Sequence, residues 1–336
     1  MPGLMRTRAS SINRALDQVG DKWCMLILQE IFWGVNSFNE LLSVSGMSRG
    51  VLSQRLNWLQ QVNCLKKLAP ADNSRRPVYR LTRKSNDLYG NALMSLAWER
   101  RFFKTSALDS IALRHKSCGN EFSPVMRCRQ CAGELNASDV TYTDGPGATS
   151  DLRAKKIRRR SSISIMDVPS TNTLYKNLIH IVGDRWTANV IALAFHGLKR
   201  FDEFHAELPI ATNTLSHRLR FLTDSGIFKP VAYQQKPLRY EYHLSAKGLG
   251  LYPFFLSLLQ WGDRWCGDGH GVPMIAHHQS CGFDLTANVC CDQCDHVLEA
   301  HDVTFDRPEV VAGKSKNIRS KAVVSGSRQA SDTVQS

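Results

Sequence analysis

The sequence predicts a mainly α-helical fold with small β-hairpins, an α+β class, written twice along the chain. Three observations carry this expectation: apolar residues recur at helical spacing, short alternating segments flank turn-rich loops, and the two halves repeat one another. With 336 residues, 43% of them hydrophobic, the chain is long enough for two or three domains.

The repeat keeps a single offset of 163 residues (186 less 23, for the two matching tryptophans). Gly-Asp-Lys-Trp at 20–23 recurs as Gly-Asp-Arg-Trp at 183–186, and Leu-Ser-Gln-Arg-Leu at 52–56 recurs as Leu-Ser-His-Arg-Leu at 215–219. Because one offset covers every matching pair, the two halves are expected to share a fold.

The first elements of copy one read as three helices. Apolar residues at helical spacing end near Gly20, and a nearly all-apolar segment over 22–32 predicts a buried helix that Gly34 ends. Ser37 can cap a short third helix, and a Ser-Gly-Met turn follows it.

The segment after that turn is the most informative one. Ser48 can cap a helix from Arg49 to about Val62, in which Leu52, Leu56 and Leu59 form one buried stripe. The outward side chains are then Ser48, Arg49, Ser53, Gln54, Arg55 and Asn57. In copy two they are Thr212, Asn213, Ser216, His217 and Arg218, with Thr212 as the predicted cap.

Two short alternating segments, 65–68 and 78–81, predict a β-hairpin, and a long helix follows from about Leu88. Phosphate contacts are expected near the hairpin tip because basic side chains lie there. Those side chains are Arg75 and Arg76 in copy one, and Lys236 and Arg239 in copy two.

Two helices around a tight turn, followed by a hairpin, are typical of a winged helix-turn-helix, whose second helix enters the DNA major groove. The ordered motifs, with Gln-Trp-Gly-Asp-Arg-Trp at 260–265, resemble the HxlR-type winged helix regulators over about 290 of 336 residues. The resemblance implies sequence-specific DNA binding and transcriptional control, usually as a dimer joined through terminal helices. Some relatives carry a redox-sensing cysteine before the first helix; 8–12 and 170–173 lack one, so thiol sensing there is not expected.

Each copy then carries the spacing His-x2-Cys-x9-Cys-x2-Cys. Three thiolates and one imidazole form a closed tetrahedral site typical of structural zinc, so we expect a zinc-ribbon-like knuckle in each copy and up to two zinc ions. Free thiols in a small hairpin are the alternative, and His277 or Cys290 could substitute as a ligand in copy two. The predicted ligands are His115, Cys118, Cys128 and Cys131, and His278, Cys281, Cys291 and Cys294.

The remaining cysteines and histidines predict no further chemistry. Cys24, Cys64 and Cys266 lie beside apolar residues and are expected to be buried structural thiols. Histidines outside the knuckles lack a nucleophile or carboxylate at recognisable spacing, so an enzyme is not expected.

The net charge of +13 is unevenly spread. Residues 1–143 carry +9, whereas 171–306 carry −3. The positive charge of residues 1–143 indicates a polyanionic partner, most simply double-stranded DNA. The sequence has neither a membrane-length apolar run nor a signal-peptide core, which predicts a cytoplasmic, nucleoid-associated protein without membrane contact.

We therefore expect a DNA-binding transcription regulator whose two winged-helix heads act as an intramolecular pseudo-dimer on two half-sites. The helices around 88–103 and 251–265, with the first helices, are expected to pack the copies together. The alternative is a zinc-containing protein-interaction or adaptor module with weak, non-specific DNA binding. Whether the chain forms a further homodimer stays open.

The predicted divisions follow the repeat. They are the first head (8–108), the first knuckle (109–143), a basic flexible linker (144–170), the second head (171–270), the second knuckle (271–306) and a disordered basic tail (307–336).

Overall fold

The computed structural model describes residues 6–69, 77–104, 108, 111–148, 150–152 and 174–305. Arg75, Arg76, most of the predicted linker and the predicted tail lie outside these residues. Within the described parts, helices and short strands alternate in the same order in both copies, as the repeat predicts.

Among its described residues, the first head has six helices and one wing hairpin. In order these are β1 (Arg6–Arg8), α1 (Ser11–Val19), α2 (Lys22–Phe32), α3 (Phe38–Ser45), α4 (Arg49–Gln61), β2 (Leu65–Leu68), β3 (Val78–Leu81), α5 (Arg83–Asn86) and α6 (Tyr89–Phe102). The first knuckle follows with β4 (Leu113–His115), β5 (Pro124–Cys128), a 3-10 turn (Ala137–Asp139) and β6 (Val140–Asp144).

The second copy repeats these elements with a longer wing. They are α7 (Lys176–Val182), α8 (Arg185–Phe195), α9 (Phe201–Glu207), α10 (Thr212–Asp224), β8 (Phe228–Gln235), β9 (Leu238–Leu244), α11 (Ala246–Leu249) and α12 (Tyr252–Trp265). The second knuckle has β10 (Met274–His278), β11 (Ala287–Cys291) and β12 (Val303–Phe305).

Side-chain caps fix where the helices begin. Asp21 caps α2 and Asp184 caps α8, each accepting two backbone N–H bonds, which gives the repeated Gly-Asp motif its local role. Ser48 caps α4 as the sequence predicts. The prediction that Thr212 caps α10 is wrong: Thr212 is the first helical residue, and Ala211 stands at the N-cap without a capping side chain. At the repeat offset, Ser48 corresponds to Ala211.

The interhelical contact between copies uses α6 and α12, with α1 also against α12. A Cβ at Gly262 would collide with the carbonyl oxygen of Ser11, so only glycine allows α1 and α12 to approach this closely. Asn91 of α6 donates from Nδ2 to the carbonyl oxygen of Phe254 and to Oγ of Ser257, both at 2.9 Å. The helices assigned to this contact from sequence therefore meet in the core.

The strands of the two knuckles pair with each other instead of within a knuckle. All three pairs are antiparallel: β4 with β12, β5 with β11, and β6 with β10. The centre of the middle pair joins Met126 to Val289, which are equivalent residues at the repeat offset, so the arrangement has a local twofold relation. Two self-contained knuckles are therefore not what the chain forms.

Part of the segment predicted as a linker is also paired. The described residues of 144–170 include Asp144, the last residue of β6, and β7 (Ser150–Leu152). Strand β7 pairs antiparallel with β1, with Arg6 opposite Leu152.

Candidate nucleic-acid interface and metal centres

The polar face predicted for α4 is open to solvent. Leu52, Leu56 and Leu59 are completely buried against the head, and this fixes the rotation of the helix. The residues that this rotation leaves exposed are Ser48, Arg49, Ser53, Gln54 and Asn57. The first two turns of α4 thus present hydroxyl, guanidinium and amide groups together.

Helix α10 has the same orientation in copy two. Leu215, Leu219 and Leu222 are buried, with at most 1% exposure. The exposed residues are Thr212, Asn213, Ser216 and His217. The two heads therefore present equivalent surfaces with different side chains, because an arginine and a glutamine in copy one are replaced by a threonine and a histidine.

Arg55 and Arg218, which the sequence assigns to the DNA-facing side, are turned toward the helix caps. Nε of Arg55 lies 3.0 Å from Oδ1 of Asp21, and Nη2 of Arg218 donates to Oδ2 of Asp184 at 3.0 Å. Each position lies next to a buried leucine, so its side chain leaves the helix beside the core. In this structure the two arginines join the second helix of the motif to the start of an earlier helix.

The wings add basic groups that the sequence reasoning missed. In the first wing, Lys66 lies opposite Arg80 in the strand register, and both are exposed, as is Lys67. Like charges directly opposite one another are unfavourable unless an anion lies between or near them. Lys236 and Arg239, which the sequence does predict, are exposed at the tip of the second wing. The alternation of β2 could have identified Lys66.

Four similar turns present the side chains that are predicted to bind metal. In the turn that starts at His115, the N–H of Gly119 donates to the carbonyl oxygen of His115 at 2.8 Å. The turn that starts at Cys128 uses Ala132 in the same way, at 2.9 Å. Gly119 has a φ of 75°, a left-handed conformation in which glycine is favoured. Each turn thus places two ligating residues close together, and the second copy repeats both turns.

One cluster combines the histidine turn of copy one with the cysteine turn of copy two. Nδ1 of His115 lies 3.5 Å from Sγ of Cys118 and 3.2 Å from Sγ of Cys294, and the sulfurs of Cys118 and Cys291 are 4.0 Å apart. All four ligand atoms lie within 4.8 Å of one another. Tetrahedral zinc with Zn–S near 2.3 Å has ligand-to-ligand edges of about 3.8 Å. The donor set and its size therefore fit a metal ion.

The second cluster is the reciprocal one. Nδ1 of His278 lies 3.2 Å from Sγ of Cys281 and 3.4 Å from Sγ of Cys131, and the sulfurs of Cys128 and Cys281 are 3.9 Å apart. These distances also match a tetrahedral set of three thiolates and one imidazole. The described part of the chain therefore contains two clusters that could hold metal ions.

The expectation that each knuckle supplies all four ligands of its own site is wrong. Strand β5, five residues long, separates the two ligand turns of the first knuckle by about 14 Å, which is too far for one zinc ion. Antiparallel pairing sets Cys291 opposite Pro124, so the cysteine turn of copy two arrives beside the histidine turn of copy one. The eight predicted ligands form two clusters. Each cluster combines the histidine turn of one copy with the cysteine turn of the other.

The alternative ligands in copy two, His277 and Cys290, lie outside both clusters. Nδ1 of His277 is 2.9 Å from Oδ1 of Asp284, and its Nε2 is 2.7 Å from Oγ1 of Thr143. Cys290 is buried and belongs to neither set of ligands. His278 and Cys291 are therefore the residues at these positions that belong to the clusters.

The three cysteines predicted to be structural are buried. Burial raises the pKa of the Cys64 thiol to about 11, and that of Cys266 likewise to about 11. Cys24 is completely buried. Thiols held in this protonated form are poor nucleophiles and poor metal ligands at neutral pH.

In the described parts of the chain, no helix is both long and apolar enough to cross a membrane.

Comparison with known proteins gives the same two units. The HxlR-like helix-turn-helix family matches residues 18–107 and again 181–270. The HTH-type transcriptional regulator Mb3122 of Mycobacterium bovis is 34% identical over 147 residues, which are 44% of this chain and 93% of that protein. The regulator YodB of Bacillus subtilis is 30% identical over 93 residues, 27% of this chain and 83% of YodB.

Two solved structures show likeness over parts of the chain. The crystal structure of PA1607 is 28% identical, covers 40% of this chain and 93% of that one, and has a TM-score of 0.36. The reduced form of YodB from B. subtilis is also 28% identical, covers 28% of this chain and 94% of that one, and has a TM-score of 0.25.

Proposed function

Because the chain belongs to the HxlR-like helix-turn-helix family of transcriptional regulators, we propose that it binds double-stranded DNA sequence-specifically, with both heads on one operator. The observation that carries this proposal is the exposed polar start of α4 and α10 above a fully buried leucine stripe. Arginine, glutamine, asparagine and histidine at such a surface can bond to base edges in the major groove. The proposal includes no catalytic step.

The two heads act as an intramolecular pseudo-dimer. Helices α1, α6 and α12 lie in the contact between the copies, and the knuckle strands pair across the same contact, which supports a fixed spacing of the heads. Heads related in this way address half-sites about one helical turn apart, roughly 10 base pairs. Since Gln54 of one head corresponds to His217 of the other, the two half-sites differ in sequence.

The wings provide the phosphate contacts. Lys66 and Arg80 repel one another across the first hairpin, and a phosphate oxygen between them would relieve that repulsion. Lys236 and Arg239 serve the second head. Each phosphate neutralised by such a side chain releases bound cations, so affinity falls steeply as salt concentration rises.

The exchanged clusters hold structural zinc. Each offers three thiolates and one imidazole and leaves no ligand position for substrate or water, the arrangement of closed structural sites. When bound, the metal cross-links a turn of one copy to a turn of the other and needs no further chemistry. Its part in DNA binding is therefore indirect, through the position of the heads.

Fluorescence polarisation tests the proposal, with labelled fragments of the DNA that lies upstream of the gene encoding this protein. We expect a preferred sequence, and a loss of about tenfold or more on Gln54→Ala or His217→Ala. Gln279→Ala and His270→Ala are matched controls, because both residues are exposed and lie outside the heads' polar faces. No sequence preference at any salt concentration, or equal losses in the controls, would contradict DNA recognition and favour the adaptor alternative.

A further inference from the structure

The second wing ends in an exposed apolar pair between two basic residues. Strand β8 ends at Gln235 and β9 begins at Leu238, so Lys236 and Pro237 form the turn. Leu238 is 53% exposed, and Pro237, Lys236 and Arg239 are exposed beside it. We propose that this tip enters the minor groove of DNA, where Leu238 wedges into a base step and bends the duplex. This inference rests on the proposed function, because it requires a head that binds DNA.

The charge of the second wing complements a duplex. Lys229, Lys236 and Arg239 are exposed. Glu241 is the one carboxylate among residues 228–244, all of which the structure describes. Nε of Arg200 donates to Oε1 of Glu241 at 3.0 Å and balances its charge. The wing therefore offers a phosphate backbone a positive surface with an apolar point at its end.

The length of the wing matches the distance between neighbouring grooves. Phe228 pairs with Leu244 where the wing leaves the head, and Gln235 pairs with Leu238 at the tip. Seven steps of about 3.4 Å along β8 give a ribbon of about 24 Å. With α10 in the major groove, the adjoining minor groove lies about 17 Å away, half of a helical turn of about 34 Å. The tip therefore reaches the minor groove while α10 stays in the major groove.

Both strands of the wing are held by the head. The guanidinium of Arg200, which precedes α9, lies 4.5 Å from the ring centroid of Tyr233 in β8, besides its bond to Glu241 in β9. The N–H of Tyr242 donates to the carbonyl oxygen of Lys199 at 2.7 Å. Because the ribbon is fixed in this way, a side chain at its tip can press into a base step without the wing moving aside.

The repeat shows that the wedge belongs to the second wing. At the offset of 163 residues, Leu238 corresponds to Arg75 and Pro237 corresponds to Ser74. Arginine in a minor groove is attracted by its negative potential, whereas an inserted leucine or proline partly unstacks a base step. Such wedges kink DNA by about 20–90°. We therefore expect one bend per complex, beside the half-site of the second head.

Förster transfer between the two ends of a bound duplex tests the wedge. The probe is the upstream fragment that the full-length protein prefers in the polarisation measurement, trimmed and labelled at its ends with a donor and an acceptor dye. We expect a bend of about 20° or more, which raises transfer when the protein binds. Leu238→Ala should still bind the fragment, because Lys236 and Arg239 keep their phosphate contacts, but the rise in transfer should be lost.

Two further variants separate the wedge from other effects. Leu249→Ala is the matched control, because Leu249 is 45% exposed and lies in α11, outside the wing; it should keep the bend. Leu238→Arg, which introduces the residue of copy one, should bind at least as tightly as the unchanged protein and also lose the bend.

Hydroxyl-radical footprinting locates the tip, because these radicals cleave deoxyribose from the minor groove at every base. We expect protection of sugars about half a helical turn, or roughly 5 base pairs, from the second half-site. Binding without this protection, straight DNA in the complex, or a bend that persists in Leu238→Ala would overturn the wedge and leave DNA recognition standing. A protein that prefers no fragment in polarisation would contradict the proposed function, and the wedge with it.

Discussion

The indole Nε1 of Trp98 donates a hydrogen bond to the backbone carbonyl oxygen of Lys247 at 3.0 Å. At the repeat offset these residues become Trp261 and Lys84, and Nε1 of Trp261 donates to the carbonyl oxygen of Lys84 at 2.7 Å. Both tryptophans are 3% exposed. Each interface helix therefore contacts the short helix that follows the wing of the opposite copy.

Removing one of these donors should weaken the contact between copies. Trp98→Phe retains most of the ring but leaves the carbonyl of Lys247 without its indole donor, so we expect a loss of about 1–3 kcal/mol in the free energy of unfolding. Trp261→Phe should lose a similar amount, because its bond is the equivalent one. Chemical denaturation measures both, and a cost near zero for either would show that the reciprocal bonds contribute little.

The exchange of metal ligands can be read from zinc stoichiometry. Cys118→Ser with Cys291→Ser changes two ligands of one cluster, so the purified protein should retain about one zinc per chain. Cys118→Ser with Cys128→Ser changes one ligand in each cluster, so both sites should be impaired and the zinc content should fall toward zero. Mass-spectrometric metal analysis distinguishes these outcomes.

Ligand sets confined to one knuckle would give the reverse result, with one zinc retained in the second double variant and none in the first. Cys290→Ser is the matched control, because this cysteine adjoins Cys291 but belongs to neither cluster. It should leave the zinc content at about two per chain.

Because Arg55 faces inward and Gln54 faces solvent, we expect that Arg55 contributes to stability and Gln54 to DNA recognition. Arg55→Ala breaks a largely buried ion pair with the cap of α2, so the free energy of unfolding should fall by on the order of 1–3 kcal/mol. Gln54→Ala, on the exposed face, should change it by no more than about 0.5 kcal/mol. Both are measured by chemical denaturation without DNA. An Arg55→Ala protein of unchanged stability that binds DNA weakly would instead make Arg55 a direct contact.

A buried carboxylate makes stability depend on pH. Glu99 is 1% exposed, and burial raises its pKa although Asn177 Nδ2 and the N–H of Leu178 donate to it. Between the unfolded and folded pKa values the native state binds more protons, so the free energy of unfolding falls as pH rises from about 4.5. Glu99→Gln should flatten this dependence in denaturation curves above about pH 4.5, and equal slopes in both proteins would contradict it.

The helical part of the heads could be predicted from sequence because local rules decide it. Ser48, Leu52 and Leu56 define a capped amphipathic helix whichever partner it meets. Thr212 shows the limit of such rules: threonine is a residue type favoured at N-caps, but the N-cap is Ala211, the position that the repeat offset indicates. Packing of the buried leucines, and not a capping side chain, determines the orientation of that helix.

The grouping of the metal ligands could not be predicted, for a different reason. His115 with Cys118 and His278 with Cys281 have identical spacing, so the sequence fits sites within a knuckle and sites between knuckles equally well. Only the antiparallel pairing of β5 with β11 decides between them. The inward turn of Arg55 was likewise hidden, since its partner Asp21 lies in a different element.

The exchanged clusters also bear on what covalent linkage of the copies achieves. A chain ending after its first knuckle would carry half of each ligand set, and could complete a tetrad only by collision with another molecule. Joining both halves in one chain makes that encounter intramolecular, so it no longer depends on the concentration of a second molecule. Assembly of the two clusters therefore does not depend on how abundant the protein is in the cell.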